Sequence, residues 1–263
     1  MPTPYERIAE RAKDAGILVT PPKHWEILGD VAVLKMDRSD EEQRLGQIYA
    51  EILGVKTVVV DEGISGIKRR PSVRKIYGDG TETVTRENGI IYRLDVTKVM
   101  FSSGNKKERM RMGSVVREEE RILDMFAGIG YFSVPMGKIA EVFSCEVNED
   151  AFHYLRENIR LNKASVKPFL GDNRDVVPNL NTKFDRIVMG YLKDTYEFLP
   201  TALSALKDVG TIHYHEAFRD KEDALTRVKS ICEGCGRDIR AIRENRIKSI
   251  APRVEHYVFD LSF

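Results

Sequence analysis

The sequence has few of the features that mark secreted or membrane proteins. It holds 3 cysteines among 263 residues, a small and odd number that favours a reducing cytoplasm over a disulfide framework. No apolar run approaches the roughly 18 residues that a membrane span needs. The N-terminal segment Met1 to Gly16 is charged and amphipathic and has no apolar core of the kind found in signal peptides. We therefore expect a cytoplasmic protein that is not exported.

The chain also lacks an excess of either charge, so its net charge does not indicate a binding partner. The chain has 42 Lys and Arg against 41 Asp and Glu, a formal net charge of +1. The segment Gly66 to Lys75 departs from this balance, with five basic residues and no acidic one. Such a run is either a solvated face or a surface for phosphate groups, and we weigh the two interpretations equally. The basic residues are Lys68, Arg69, Arg70, Arg74 and Lys75, followed by a smaller group of Lys106, Lys107 and Arg111.

Metal-ligand spacing is almost absent. Cys232 and Cys235 have CxxC spacing, but no second cysteine pair and no histidine pair accompanies them, so we interpret them as part of a turn. His213 and His215 alternate along a predicted strand and therefore point to one face, without a third ligand in sight. We expect these histidines to be satisfied by neighbouring side chains, and we expect no bound metal.

The pattern of apolar residues divides the chain near Phe101. Residues 1–100 mix short helical and strand patterns and predict a small α+β domain. Residues 101–263 alternate strand and helix patterns, which predicts right-handed βαβ units and a mostly parallel sheet of seven strands. The last two strands are joined through Pro252, too closely for a crossover helix, so they must be antiparallel. The predicted helices of the second part are 106–121, 131–140, 149–164, 195–208 and 221–236.

A glycine loop follows the first strand of this second part. The stretch DMFAGIGYFSVP, from Asp124 to Pro135, places Gly128 and Gly130 where the backbone can approach a ligand closely. The third glycine of a dinucleotide loop is missing, and Asp124 would repel a phosphate but suits a ligand with a positive charge. S-adenosylmethionine carries a sulfonium and an amino group and no phosphate. We therefore favour S-adenosylmethionine over NAD as the cofactor.

Polar residues also end the next two predicted strands. Glu146 lies 22 positions after Asp124, a spacing typical of a carboxylate that binds ribose hydroxyls. Asp172 and Asn173 follow the third strand, where they can hydrogen-bond a purine amino group. Ligands of open α/β sheets bind beyond the carboxyl ends of the strands. The three strand ends together predict a nucleoside site.

Several motifs resemble those of a known enzyme family. DMFAGIGYFSVP, the glutamate of CEVNED, NIRLNKA, GDNRD, VMGY and IHYHE are similar to the archaeal and eukaryotic enzymes of the class I methyltransferase fold that modify position 37 of tRNA. The resemblance covers residues from about 85 to the end. It implies a Rossmann-like domain that binds S-adenosylmethionine, and the anticodon loop of tRNA as partner. The oligomeric state is left open, with a monomer as the working expectation.

Within that family, the stretch after the fourth strand separates two activities. The guanine-N1 methyltransferases carry an Asn-Pro motif there, whereas this chain has Met189-Gly190-Tyr191, similar to the family's aminocarboxypropyl transferases. The resemblance implies transfer of a 3-amino-3-carboxypropyl group to C7 of 4-demethylwyosine at position 37 of tRNA(Phe), with release of methylthioadenosine. The alternatives are a guanine-37-N1 methyltransferase and a silent tRNA-binding module.

The resemblance also assigns residue roles. Ser102 and Arg109 resemble the family's cofactor contacts, and Arg109 suits the methionine carboxylate. Apart from the resemblance, Tyr131 and Tyr191 are candidates to stack on a flipped base, and Tyr131 suits the core equally well. Asp175 and Tyr191 are candidates for the general base, with a helix cap or a pair with Arg174 as the alternative for Asp175. The chain departs from the family pattern near its end, where Arg253 replaces a glycine and Glu255 a tryptophan. The expected cofactor contacts are Ser102, Arg109, Asp124, Gly128, Gly130, Glu146, Asp172 and Asn173.

Overall fold

The computed structural model describes residues 1–66, 70–101 and 103–263. The chain divides into two units, Met1–Phe101 and Ser102–Phe263, and each contains a hydrophobic core of its own. Along the described residues, no helix has the length and apolar character needed to cross a membrane.

The first unit is an α+β structure around a four-stranded sheet. Its elements are α1 (Pro4–Asp14), β1 (Trp25–Leu28), β2 (Val31–Leu34), α2 (Glu42–Leu53), β3 (Thr57–Ser65), β4 (Arg70–Tyr77), β5 (Glu82–Glu87) and β6 (Ile90–Asp95). The sheet order is β1-β2-β3-β4, and only the β2–β3 pair is parallel. β5 and β6 form a separate hairpin. The apolar stripe of α2, with Leu45 and Tyr49 fully buried, packs in the core with Val58 and Val60 of β3.

The second unit contains the predicted α/β sheet. Its elements are α3 (Lys106–Val115), β7 (Arg121–Asp124), α4 (Ser133–Met136), β8 (Glu141–Glu146), α5 (Glu149–Asn162), β9 (Val166–Leu170), α6 (Asn173–Val176), β10 (Phe184–Met189), α7 (Leu199–Ala205), β11 (Leu206–Phe218), α8 (Lys221–Gly234), β12 (Ala241–Ala251) and β13 (Val254–Ser262). Short 3₁₀ turns occupy Ser103–Asn105, Val177–Leu180 and Thr195–Phe198.

The seven strands run in the order β12-β13-β11-β10-β7-β8-β9. β7 to β11 are parallel to their neighbours, while β13 is antiparallel to both β11 and β12. The predictions of a mostly parallel sheet and of an antiparallel final pair are confirmed. The strand order reverses between β7 and β10, and a crevice at the carboxyl ends of these strands is where such sheets bind ligands.

Three predicted helices are shorter than the periodicity indicates. The helix predicted over 106–121 ends at Val115, and the one over 131–140 keeps only the turn Ser133–Met136 before Gly137, where a Cβ would lie 2.5 Å from Val166. The helix over 195–208 begins as a 3₁₀ turn and ends at Ala205. There Leu206 becomes extended because it pairs with Phe184 of β10. Sheet pairing in the folded state overrides the local helical pattern.

Candidate nucleoside site

The glycine loop forms a tight turn directly after β7. The Gly130 N–H donates to the Ala127 carbonyl at 2.9 Å, and the Ala127 N–H donates to the Cys145 carbonyl of β8 at 2.9 Å. Gly128 and Gly130 both have positive φ, at 57° and 99°. A Cβ at Gly128 would lie 2.7 Å from the ring of Tyr131. The loop therefore needs glycine at both positions for its own conformation.

Asp124 lies beneath this loop and is completely buried. The Ser133 hydroxyl donates to Asp124 Oδ2 at 2.6 Å, and the Phe126 N–H donates to Oδ1 at 3.2 Å. The Ser144 hydroxyl in turn donates to Ser133 Oγ at 2.7 Å. Burial raises the pKa of Asp124 to about 6. These bonds favour a role in shaping the loop over direct contact with a ligand.

Glu146 ends β8 beside the loop and is partly exposed. Its Oε2 accepts the Gly128 N–H at 2.7 Å, and its Oε1 accepts the Asn148 N–H at 2.7 Å. Burial raises the pKa of this carboxyl group, and the backbone N–H groups oppose that rise. A carboxylate has about four lone-pair positions, so Glu146 keeps acceptor capacity for a ligand hydroxyl group. Glu146 stays the predicted contact for the ribose.

The predicted adenine contacts after β9 have different surroundings. Asp172 accepts hydrogen bonds from the Arg174 side chain at 2.7 and 3.0 Å, and these bonds lower its pKa. Asn173 is buried, and its Nδ2 donates to the Met125 carbonyl at 3.0 Å. Asn173 Oδ1 is also buried and accepts no hydrogen bond from the described residues. A buried acceptor without a donor is costly, so Asn173 offers a place for a ligand N–H group.

Two apolar residues at the same edge were not singled out from the sequence. Val147 follows Glu146 and is 40% exposed, while Leu170, the register partner of Glu146 in β9, is 49% exposed. Apolar side chains at the end of two strands can cover the faces of a planar base. The available signal in the sequence was a large apolar residue at the end of each of these two strands.

α3 brings Arg109 to the glycine loop. Arg109 is buried, and its guanidinium lies 5.5 Å from the centroid of the Tyr131 ring. The arrangement joins two residues that the sequence analysis proposed separately, one for the methionine carboxylate and one for stacking. Ser102, the other proposed contact in this segment, lies outside the described residues.

The motif after β10 forms an aromatic cluster. Tyr191 stacks on Phe126 with ring centroids 5.0 Å apart, and Phe198 contacts both rings edge-on. Gly190 packs against Phe132, where a Cβ would lie 2.8 Å from the ring. Tyr191 therefore sits in an ordered aromatic surface at the carboxyl edge.

The two proposed bases are not brought together. Asp175 is exposed on α6, which follows β9, whereas Tyr191 follows β10. Three strand spacings separate β9 from β10, which is about 14 Å. The structure therefore offers Asp175 and Tyr191 as separate groups and not as a pair.

A partly buried polar network joins α3 to β11 and β13. Arg111 pairs with Glu108 at 2.6 Å and with Asp260 at 2.7 Å. His213 Nδ1 lies 2.5 Å from Asp260 Oδ1, and its Nε2 lies 2.6 Å from Arg186 Nη1. Burial lowers the pKa of His213. Arg111, which the sequence suggested as a basic surface residue, is thus occupied inside the unit.

The second strand histidine is only partly satisfied. His215 Nδ1 lies 3.2 Å from His256 Nε2, and both rings are buried. Burial, and next the neighbouring His256, lowers the pKa of His215 well below its usual value. Its Nε2 has no hydrogen-bond partner among the described residues. The expectation of neighbour-satisfied histidines therefore holds for His213 and is wrong for one nitrogen of His215.

The basic segment of the first unit is not a uniform cationic surface. Lys68 and Arg69 lie outside the described residues. Arg74 is bound by Glu42 and by Glu62, the latter at 2.9 Å. Lys75 is exposed on the neighbouring position of β4, and Arg70 is exposed at its start. Arg74 is thus neutralised, which reduces its capacity to bind phosphate.

Comparisons with known proteins give each part of the chain a family. The TRM5/TYW2 methyltransferase domain matches residues 83–240, which contain the glycine loop, Glu146 and Asn173. The chain belongs to the TRM5/TYW2 methyltransferase domain family. The TYW2 N-terminal domain matches residues 8–81.

Individual relatives in the TRM5/TYW2 family match over nearly the whole chain. The tRNA(Phe) (4-demethylwyosine(37)-C(7)) aminocarboxypropyltransferase of Pyrococcus horikoshii is 44% identical over 250 residues, covering 91% of this chain and 89% of that protein. The enzyme of the same name from Methanocaldococcus jannaschii is 40% identical and covers 91% of this chain and 97% of that protein. The crystal structure of P. horikoshii TYW2 in complex with MeSAdo has a TM-score of 0.85 at 38% identity and covers 97% of both chains. The predicted class I methyltransferase fold is confirmed.

Proposed function

We propose that the chain transfers the 3-amino-3-carboxypropyl group of S-adenosylmethionine to C7 of 4-demethylwyosine at position 37 of tRNA(Phe). The observation that carries this proposal is 44% identity, over 91% of the chain, to an enzyme named for that reaction. The match of residues 8–81 to the TYW2 N-terminal domain supports it. So does the Met189-Gly190-Tyr191 motif, which lacks the Asn and Pro of the methyltransferases.

One atom tests whether the residues present fit S-adenosylmethionine. Asn173 Oδ1 is a buried acceptor without a donor among the described residues, and it lies after β9, where the adenine is expected. The adenine amino group would supply the missing hydrogen bond. Glu146 would accept hydrogen bonds from the ribose hydroxyls, and the Arg109 guanidinium would bind the methionine carboxylate. The donor set therefore fits the group.

The chain's residues contribute chiefly by orientation. When bound, S-adenosylmethionine supplies a sulfonium that makes its carbon neighbours electrophilic. C7 of the base forms a bond to the side-chain carbon next to sulfur, the carbon–sulfur bond breaks, its electron pair stays on sulfur, and the C7 proton leaves. Holding C7 in line with the carbon–sulfur bond that breaks is worth about 7–11 kcal/mol of the barrier. We assign that task to Arg109, which would hold the carboxylate end, and to the Tyr191 cluster, which would hold the base.

We also propose that the first unit helps to hold the anticodon loop. Arg70 and Lys75 lie exposed on β4, and Lys68 and Arg69 belong to the same basic segment. Phosphate contacts of this kind position an RNA without specifying its sequence. Arg74 is left out of this role because two carboxylates already neutralise it.

The leaving nucleoside tests the reaction. The chain would be incubated with S-adenosylmethionine and tRNA(Phe) bearing 4-demethylwyosine, and the small nucleoside identified by mass spectrometry. We predict methylthioadenosine, together with a tRNA nucleoside enlarged by the aminocarboxypropyl group. Release of S-adenosylhomocysteine would mean methyl transfer instead, and tRNA binding without turnover would mean a silent module.

A further inference from the structure

Three chain segments meet at the carboxyl edge of the sheet, on the side away from β8 and β9. The Ala217 N–H of β11 donates to the carbonyl of Leu192, in the segment after β10, at 3.3 Å. Ala217 is the register partner of His256 in β13, and His256 is the partner of Lys248 in β12. The segment after β10, the end of β11 and the β12–β13 hairpin therefore lie side by side.

Each of these segments carries an exposed cation at its outer end. Lys193 follows Leu192, Arg219 follows the last residue of β11, and Arg253 forms the tip of the β12–β13 hairpin. In the described part of the chain, none of the three makes a hydrogen bond or an ion pair. We call Lys193, Arg219 and Arg253 the cationic edge.

The acidic residues next to the cationic edge differ in their partners. Glu255 accepts hydrogen bonds from Arg246 at 2.8 Å and from Ser249 at 2.6 Å. Asp220 caps α8 by accepting backbone N–H groups at 2.9 and 3.2 Å. Asp194, beside Lys193, is exposed. Arg246 offsets the charge of Glu255, whereas Asp194 and Asp220 keep their charges beside the three cations.

Arg253 occupies a position whose backbone favours glycine. Its φ is 62°, and a side chain other than glycine in this region costs about 1–3 kcal/mol. The side chain is exposed and makes no hydrogen bond or ion pair within the described residues. The Arg253 guanidinium is thus available to a partner outside the chain.

We infer that the cationic edge binds backbone phosphates of the tRNA strand next to the modified nucleotide, an inference that rests on the proposed function. Lys193 is two residues from Tyr191, whose aromatic cluster we assign to the base. β10, β11 and β13 are successive strands, so the edge spans about 10 Å, enough to contact more than one phosphate. A polyanion satisfies all three cations at once, as no small ligand with one charge does.

The test is the salt dependence of tRNA binding. A variant with Lys193→Gln, Arg219→Gln and Arg253→Asn loses three charges, and Asn tolerates the left-handed backbone at the tip. The dissociation constant for a tRNA(Phe) transcript would be measured across a series of potassium chloride concentrations. Log affinity decreases with log salt concentration, and we expect this negative slope to become shallower by about 2–3 in the variant. The affinity at moderate salt should fall about tenfold or more.

The matched control removes three charges elsewhere. The control variant carries Lys163→Asn, Lys229→Gln and Arg240→Gln, and all three of these cations are exposed in the wild type. Lys163 also has a positive φ, of 51°, as Arg253 does. Lys163 and Arg240 lie before β9 and β12, at the opposite edge of the sheet. We expect the wild-type slope for this variant.

Two results would overturn the inference. One is a triple variant that keeps the wild-type slope, and the other is a control that loses as much slope as the test variant. Unchanged affinity for S-adenosylmethionine in calorimetry verifies that both variants fold. The binding slope is measured without turnover, so a wrong proposed reaction would appear in the leaving nucleoside and not here.

Discussion

At the scale of single residues, Glu146 links the loop to the proposed ligand. Its two oxygens accept the N–H groups of Gly128 and Asn148, so replacing it by Ala would remove the loop contact as well as the ligand contact. Glu146→Gln keeps one oxygen acceptor and removes the charge. Because both oxygens of Glu146 accept backbone N–H groups, Gln keeps one of these two bonds, whereas Ala removes both.

We predict that Glu146→Gln raises the dissociation constant for S-adenosylmethionine about tenfold or more, because a hydrogen bond to a charged group is worth about 1.5–3 kcal/mol. Isothermal titration calorimetry measures the change. Glu141→Gln, at the other end of the same strand, serves as the control and should bind as the wild type does. If the wild type and both variants bind S-adenosylmethionine with equal affinity, Glu146 is not a ligand contact.

Asp124 makes the stability of the protein depend on pH in an unusual direction. Its pKa is raised from the ordinary 3.8 to about 6 in the folded state. Between these values the folded state holds a proton that the unfolded state has lost, so the contribution to stability is full below pH 4 and disappears as pH rises through 6. The size of that contribution is about 3 kcal/mol.

The prediction compares the wild type with Asp124→Asn by urea unfolding at a series of pH values. The stability of the wild type relative to the variant should fall by about 3 kcal/mol between pH 4 and pH 6.5. The absolute stability of the variant does not matter, because the test uses only how the difference in free energy of unfolding between the two proteins changes with pH. A difference that stays constant, or rises with pH, would contradict the buried placement of this carboxyl group.

At the scale of secondary structure, α3 is attached to the sheet by charge. Arg111 reaches Asp260 of β13, and Asp260 also accepts from His213 of β11. Burial alone would raise the pKa of Asp260, but the hydrogen bonds from His213 and Arg111 hold it well below its usual range. The same helix carries Arg109, so the network positions a proposed ligand contact as well as a helix.

Replacing Asp260 should therefore lower the stability of the protein. Asp260→Asn leaves the partly buried Arg111 with one carboxylate and His213 with a weaker acceptor, and we predict a loss of about 3 kcal/mol in the free energy of unfolding. Asp208→Asn, an exposed residue of β11, should change it by less than about 0.5 kcal/mol. Urea unfolding measures both. Equal stabilities would mean that the network contributes nothing net.

The elements themselves show where sequence reasoning works. The glycine loop, Glu146 and Asn173 were predicted because each follows an apolar strand, and parallel strands bring their carboxyl ends to one edge. Asp172 is hydrogen-bonded by Arg174, 2 positions away, and Arg111 is hydrogen-bonded to Asp260, 149 positions away. Both contacts depend on the geometry of the side chains in the folded protein. No periodic pattern contains that information. The end of α7 at Ala205 likewise depends on the pairing of Leu206 with Phe184.

At the scale of the whole molecule, the family matches and the contacts divide the chain differently. The methyltransferase domain match begins at residue 83, whereas the first unit extends to Phe101 and includes the β5–β6 hairpin. The predicted boundary near Phe101 follows the change from mixed to alternating elements. We retain the proposal that residues 1–100 contact tRNA and that residues 101–263 hold S-adenosylmethionine and perform the transfer.

A crystal structure of the chain grown with S-adenosylmethionine is the most direct test of the proposed site. We predict the adenine amino group within hydrogen-bond distance of Asn173 Oδ1 and the ribose hydroxyls at Glu146. The side-chain carbon next to sulfur should face the aromatic surface of Tyr191. A nucleoside bound elsewhere, or one whose methyl group and not its side-chain carbon faces Tyr191, would contradict the assignment.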